Sequence, residues 1–223
     1  MMRFMPSATV EDYLKHIYML QPQDGEQRVP MGRLAGAVQV APGTATAMIK
    51  TLADSELVDY EPRGGVRLTH RGQQLALHVL RRHRLVEQFL VQIVGLDWSQ
   101  VHEEAEELEH AISDRLLERI DALLGHPSVD PHGDPIPTAK GRVDHVRLVN
   151  LTECELGRPV RVARVSDQDP RFLQFADRHG LVPGVSLTVS ARDDVADAVT
   201  LTPQQGSPFT IGMTAAAKVL VEA

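Results

Sequence analysis

The chain has little cysteine, few aromatic residues and no long apolar run. Of its 223 residues one is Cys, one Trp, three Tyr and five Phe. A single thiol, Cys154, excludes an internal disulfide and any paired-cysteine metal site. No stretch approaches the roughly 18 apolar residues of a membrane span, so none is expected. The start, MMRFMPSATVEDYL, lacks the apolar segment of a secretory leader, and a cytoplasmic protein is expected. Positive charge is also scarce. Twenty-three Lys and Arg face 30 Asp and Glu, and the net charge of −7 argues mildly against bulk affinity for nucleic acid. The total hides an asymmetry. Arg63, Arg67, Arg71, Arg81, Arg82 and Arg84 occur with no acid among them, whereas acids dominate from Asp97 to Asp121. With 43% hydrophobic and 24% charged residues, the composition is that of a soluble globular protein with two domains or three small ones.

What the chain does have is a stretch rich in His and Glu, His83 to His110, in two helical segments broken at Gly95. His83 and Glu87 are four apart on the first. His102, Glu106, Glu109 and His110 follow the i, i+4, i+7, i+8 spacing that places four side chains on one helical stripe. Imidazole and carboxylate are ligands for divalent first-row metals, and no thiol is among them. The bland alternative is a solvated acidic face with structural histidines.

In chain order, Ser7 to Leu20 reads as a helix with Val10, Tyr13, Leu14, Ile17, Tyr18 and Met19 on its apolar face. Glu11 and Asp12 lie in the first turn, where the helix dipole alone favours carboxylates. A loop with Pro22, Gly25 and Pro30 follows. Met31–Val38 and Thr44–Ser55 read as two short helices joined by a tight turn, the helix-turn-helix pattern. The second carries Thr44, Thr46, Ala47 and Lys50 off its apolar face, small and hydroxylic residues suited to close approach in a DNA major groove. Leu57 to Leu68 reads as a hairpin turning at Arg63-Gly64-Gly65. Helix, helix, hairpin is the winged-helix order, with Arg63 placed for a phosphate or minor-groove contact. A long helix over Thr69–Val94 is expected, then helices Ser99–Asp114 and Arg115–Leu124. Their apolar residues exceed the needs of one small core and would supply a dimer interface. In the Pro/Gly-rich segment that follows, His132 reads as a structural hydrogen-bonder. After a linker over Thr138–Asn150, short β-branched runs (RPVRVARV, VSLTVSA, AVTLT, AKVLVE) and a helix over Phe172–His179 predict a small β-barrel.

VEDYLKHIYML, RGGVRLTHRG, RRHRLVEQFL, VHEEAEELEH, PHGDPIP and GLVPG, in this order and spacing, resemble the iron- and manganese-dependent repressors typified by diphtheria toxin repressor. The likeness covers nearly the whole chain. It implies a mainly α fold with small β parts. Residues 1–74 would be a winged helix-turn-helix domain, 75–141 a helical dimerisation and metal domain, 142–150 a linker, and 151–223 an SH3-like (FeoA-like) β-barrel. It implies a cytoplasmic repressor of metal-uptake genes, binding palindromic double-stranded operator DNA as a homodimer when loaded with metal. Carried over by position, a regulatory metal site would use Asp12, Glu106, Glu109 and His110, and an ancillary site His83, Glu87 and His102. The barrel would add a carboxylate, best matched by Asp169, for which helix capping is the competing role. Carboxylates at positions 12 and 106, where iron-type members carry Met and Cys, favour Mn²⁺, with Fe²⁺ as the alternative. Short manganese-type members carry a carboxylate where this chain has Lys15, which puts their paired-metal arrangement in doubt here. The rival reading is a di-metal carboxylate helical enzyme; a third is a DNA-binding regulator without metal.

Overall fold

The computed structural model describes residues 7–21, 27–144 and 146–222; most of the loop expected after the first helix, with Pro22 and Gly25, falls outside them. The chain forms two compact units. Met1–His83 with Pro137–Arg142 make the first, and Arg84–Ile136 with Val143–Ala223 the second.

The first unit holds α1 (Ala8–Leu20), α2 (Met31–Ala37), α3 (Pro42–Asp54), the two-stranded wing β1 (Val58–Glu61) and β2 (Gly65–Leu68), and the start of α4 (His70–Phe89). The Ser7 hydroxyl accepts from the Val10 amide and caps α1. Helix α3 begins two residues before the expected Thr44, because Pro42 already has the backbone angle of a first helical residue and needs no amide partner. Tyr13, Leu14, Ile17, Leu34, Ala45, Ile49, Leu52, Leu57, Val58, Val66 and Ala76 form one core, drawn from every element. This burial leaves the opposite face of α3 to solvent. At the wing, Val29 and Val66 exchange amide–carbonyl bonds of 2.7 and 3.0 Å. The backbone there is so close that a Cβ on Gly65 (φ +106°) would lie 2.5 Å from the Val29 carbonyl oxygen.

In the second unit the remainder of α4 runs into a π-helical turn, Leu90–Val94, stopped by left-handed Gly95. Helices α5 (Val101–Leu108) and α6 (Asp114–Leu123) follow. The helix expected to run unbroken to Asp114 therefore ends at Leu108. Ser113 is extended and its hydroxyl accepts from the Leu116 amide, so the chain restarts as a new helix at Asp114. Leu85, Leu117, Ile120, Leu124 and Ile136 form one small core, and Val86, Leu90, Val101 and Ala105 another.

The C-terminal part is a six-stranded antiparallel sheet in the order β3-β8-β4-β5-β6-β7. Its strands are β3 (Val149–Asn150), β4 (Pro159–Val165), β5 (Ser186–Asp193), β6 (Ala198–Pro203), β7 (Phe209–Gly212) and β8 (Val219–Glu222). The last two residues of the expected linker are thus a strand, paired with Val221 and Leu220. Helix α7 (Pro170–Arg178) and the short α8 (Met213–Ala216) lie between strands. The barrel buries Val160, Val162, Leu187, Val189, Val199, Leu201, Val219 and Val221, the inward half of each alternating run. The Pro/Gly segment is pinned to β4. The Val165 amide donates to the His132 carbonyl at 2.8 Å. A Cβ on Gly133 (φ +88°) would sit 1.9 Å from the Ala163 carbonyl oxygen, so only glycine fits.

Candidate metal centre

The second unit contains an unusual concentration of buried charge. Glu87 and Glu109 are fully buried, and Asp130 and Asp134 are 3% and 5% exposed. Isolated carboxylates in such places cost several kcal/mol and persist only with compensating partners. Asp134 has them: Arg164 at 2.9 Å and Arg84 at 3.3 Å. Asp130 is compensated only in part. Its Oδ1 accepts from the His132 and Asp134 amides, both at 2.9 Å. Its Oδ2 is buried without a hydrogen bond, 3.6 Å from the Arg84 Nε. Burial, then the neighbouring Asp134 and Glu87 charges, push the Asp130 carboxyl well above the usual carboxylate range, against the pull of Arg84.

Beside Asp130 stands His132, fully buried. Its Nε2 lies 2.8 Å from the Trp98 carbonyl oxygen. A carbonyl only accepts, so Nε2 carries the proton and Nδ1 of the neutral ring is a lone pair. That Nδ1 is buried without a hydrogen bond and faces the Glu87 Oε2 at 3.9 Å. Two acceptors turned toward each other in a dry interior repel unless a cation or a proton lies between them. One ligand atom from each of Glu87, Asp130 and His132 falls within 4.8 Å of the others. Geometry and donor set both fit a divalent cation.

The other expected ligands divide as follows. Glu87 Oε1 also meets His102 Nδ1 at 3.2 Å, and His102 Nε2 lies 3.7 Å from Glu106 Oε1 across one turn of α5. Glu109 lies just past the end of α5, and His110 Nε2 is 3.4 Å from its carboxylate. The expected four-residue stripe is therefore interrupted at Leu108. His83 is buried on α4, one turn before Glu87. In the first unit Asp12 is half-buried on α1. Its neighbour Glu11 pairs with Arg82 at 3.4 Å, and Lys15 is only 1% exposed. Asp169 belongs to no cluster of three or more ligand atoms among the described residues. It caps α7, accepting from the Arg171 amide at 2.9 Å, and its other oxygen pairs with the Arg171 guanidinium at 3.0 Å.

The first unit presents Thr44, Ala47 and Lys50 to solvent on α3, with Thr46 half-exposed and its hydroxyl donating to the Pro42 carbonyl at 2.8 Å. Arg63 is exposed at the wing tip with φ +69°. The wing's root is held by Asp59, which accepts from Arg28 at 3.0 Å and Arg67 at 2.9 Å.

Three family models match consecutive parts of the chain. They are the iron-dependent repressor N-terminal DNA-binding domain (residues 5–66), the iron-dependent repressor metal-binding and dimerisation domain (69–138), and the FeoA domain (149–223). The chain belongs to the iron-dependent repressor family. Iron-dependent repressor IdeR of Mycobacterium leprae is 31% identical over 81% of this chain and 83% of its own length. A solved manganese-dependent transcriptional repressor in complex with manganese is 41% identical, covers 95% of this chain and 98% of its own, and superposes with a TM-score of 0.86. ScaR with bound Cd²⁺ gives 32% identity, 96% and 98% coverage, and a TM-score of 0.78. The protein is accordingly a metal-responsive, DNA-binding transcriptional repressor that acts as a homodimer on operator DNA, with a winged helix, a helical dimerisation domain and an SH3-like FeoA domain. The enzyme reading gains no support from these relatives. No helix among the described residues is long and apolar enough to cross a membrane.

For this repressor, sequence reasoning left Asp130 and His132 out of the ligand candidates. They flank Pro131 in a Pro/Gly-rich segment with no run of apolar periodicity around them, and Glu87 lies 43 residues before Asp130. An Asp-Pro-His triplet in an otherwise structureless Pro/Gly segment was the available signal.

Proposed function

We propose that this repressor is a cytoplasmic manganese sensor that shuts off metal-uptake genes, with Fe²⁺ as the competing ion. The observation that carries the metal reading is His132 Nδ1, buried without a hydrogen bond and facing the Glu87 Oε2 at 3.9 Å, with an Asp130 carboxylate oxygen in the same cluster. Two centres serve the function. One uses Asp12, Glu106, Glu109 and His110; the other uses Glu87 with Asp130 and His132, and His83 and His102 nearby. Oxygen and imidazole donors without sulfur suit Mn²⁺, the weakest binder in the Irving–Williams order, better than softer ions.

A divalent cation, when bound, supplies positive charge that these carboxylates otherwise lack. Asp12 belongs to the DNA-binding unit, whereas Glu106, Glu109 and His110 belong to the dimer scaffold. Joined through one centre, these residues fix the spacing of two winged helices on a palindrome. Thr46 and Ala47 then meet base edges, while Thr44, Lys50 and Arg63 meet the backbone. Leu116 and Leu123, seven apart on α6 and 50% and 61% exposed, supply part of the dimer face. Metal and DNA affinities are coupled reciprocally. The test is a gel shift on the DNA upstream of the chain's own gene with Mn²⁺, Fe²⁺, Zn²⁺ or chelator. A shift with Mn²⁺ and none with chelator is expected; a shift driven by Zn²⁺ but not Mn²⁺ would remove manganese from the account.

A further inference from the structure

We propose that Trp98 is the positioning residue of the buried centre, fixing which nitrogen of His132 is available to a metal and tying that choice to the barrel. The inference rests on the reading of Glu87, Asp130 and His132 as metal ligands. Trp98 is the chain's single tryptophan and stands in the loop between the π-helical turn and α5. That loop is itself fixed: Asp97 Oδ1 accepts from the Ser99 amide at 2.8 Å, and the Asp97 carbonyl accepts from the Gln100 amide at 3.0 Å. Trp98 touches His132 twice. Its carbonyl takes the Nε2 proton at 2.8 Å, and its indole stacks on the imidazole with centroids 5.4 Å apart and planes 28° from parallel. The first contact selects the tautomer; the second selects the ring plane. Together they leave the Nδ1 lone pair pointing at Glu87 and Asp130. The indole also packs against the barrel core. The His132 backbone carbonyl receives the Val165 amide of β4. His132 is therefore held between Trp98 and the barrel, and the barrel's seating sets the ligand's orientation.

Outer contacts of this kind set ligand orientation and typically control metal affinity by about 10–100-fold. In the full chain, Trp98→Leu removes the stack and loosens the loop, whereas Trp98→Phe keeps an aromatic face. The Leu variant is expected to bind Mn²⁺ at the buried centre about tenfold or more weakly, and Phe to restore it to within about threefold. The distinguishing readout is ¹⁵N NMR of His132 in the metal-free protein. Wild type and the Phe variant should show a single Nε2–H tautomer with narrow ring resonances; the Leu variant, which keeps the backbone carbonyl but loses the stack, should keep that tautomer with ring resonances broadened by motion of the imidazole. A Leu variant with ring resonances as narrow as those of wild type, or with undiminished affinity, overturns the proposal. Should Trp98→Leu not fold, the wild-type protein suffices. Trp98 emission should be quenched by Mn²⁺ with the midpoint of the buried centre, and the quench should vanish in His132→Ala. Emission indifferent to a filled centre overturns the role of Trp98 alone. If His132→Ala binds as many Mn²⁺ as wild type, the ligand reading fails and the proposal fails with it.

Discussion

Asp130-Pro131 and Asp169-Pro170 are the same dipeptide in two regions, and their electrostatics are opposite. Asp169 sits at an exposed corner of the barrel, where the Arg171 guanidinium and amide hold its carboxyl below the usual range. Asp130 sits under the helical part of the same unit, where burial pushes its carboxyl up and one oxygen finds no hydrogen bond. A carboxylate in water with a cation beside it is satisfied and has little left to offer a metal. A carboxylate in a dry pocket, next to another carboxylate and an imidazole lone pair, is not. Burial and neighbours, rather than residue type, separate a cap from a ligand.

The largest effect should come from the buried carboxylates. Glu109→Gln or His110→Ala is expected to abolish Mn²⁺-dependent operator binding while leaving a folded dimer; a normal shift at limiting Mn²⁺ would remove them from the regulatory centre. Asp130→Asn comes next and gives two opposed results. It keeps the acceptor for the His132 and Asp134 amides but drops the buried charge. The metal-free protein should gain about 1–2 kcal/mol, read as a rise in Tm, while one Mn²⁺ per protomer is lost from titration calorimetry. A lower Tm with unchanged stoichiometry would make Asp130 a structural residue. Smaller effects belong to exposed charges. Arg63→Ala should weaken operator and random DNA alike and reduce the salt slope by about one unit. Altered sequence preference at constant slope would place Arg63 on bases instead. Asp169→Asn should change neither metal stoichiometry nor Tm, since Asn caps as well as Asp; loss of a bound Mn²⁺ would make Asp169 the barrel's ligand after all.

The smallest effect concerns the wing. A hydrogen bond from Arg67, aided by the Arg28 charge, lowers the Asp59 carboxyl below its ordinary value. The folded pKa is below the unfolded one. The network's contribution is therefore full above the ordinary carboxylate pKa of about 3.9 and is lost as pH falls through the folded value. With its side chain 45% exposed, Asp59 contributes at most a fraction of a kcal/mol after solvent screening. The protection of the Tyr60 and Val66 amides relative to those of α3 should be constant down to about pH 4 and fall only below it.

The winged helix was legible because each part has its own local signal: the 3.6-residue period of α1 and α3, the alternation in β1 and β2, and the glycines between Arg63 and Val66. Helix α5 was overextended because Glu109 and Ala111 are good helix formers, and the true restart is marked only by Ser113. Strand β3 was missed because it has two residues and pairs with β8 at the other end of the C-terminal part; β7 was missed because Phe209–Gly212 is a short run of four residues, although its partner β6 is close in sequence. Glu87 and His102 could be singled out from helical spacing. Asp130 and His132 could not, because what makes them a centre is the tertiary placement of a loop on β4 and beneath Trp98.

The most direct test is the affinity of the full-length dimer for a fluorescent palindromic operator, read by anisotropy in Mn²⁺ and again in chelator at the same ionic strength. Tight binding in Mn²⁺ that disappears with chelator and returns on adding Mn²⁺ is the predicted result. Equal affinity in both would contradict the proposal that a cation joining Asp12 to Glu106, Glu109 and His110 fixes the spacing of the DNA-binding units.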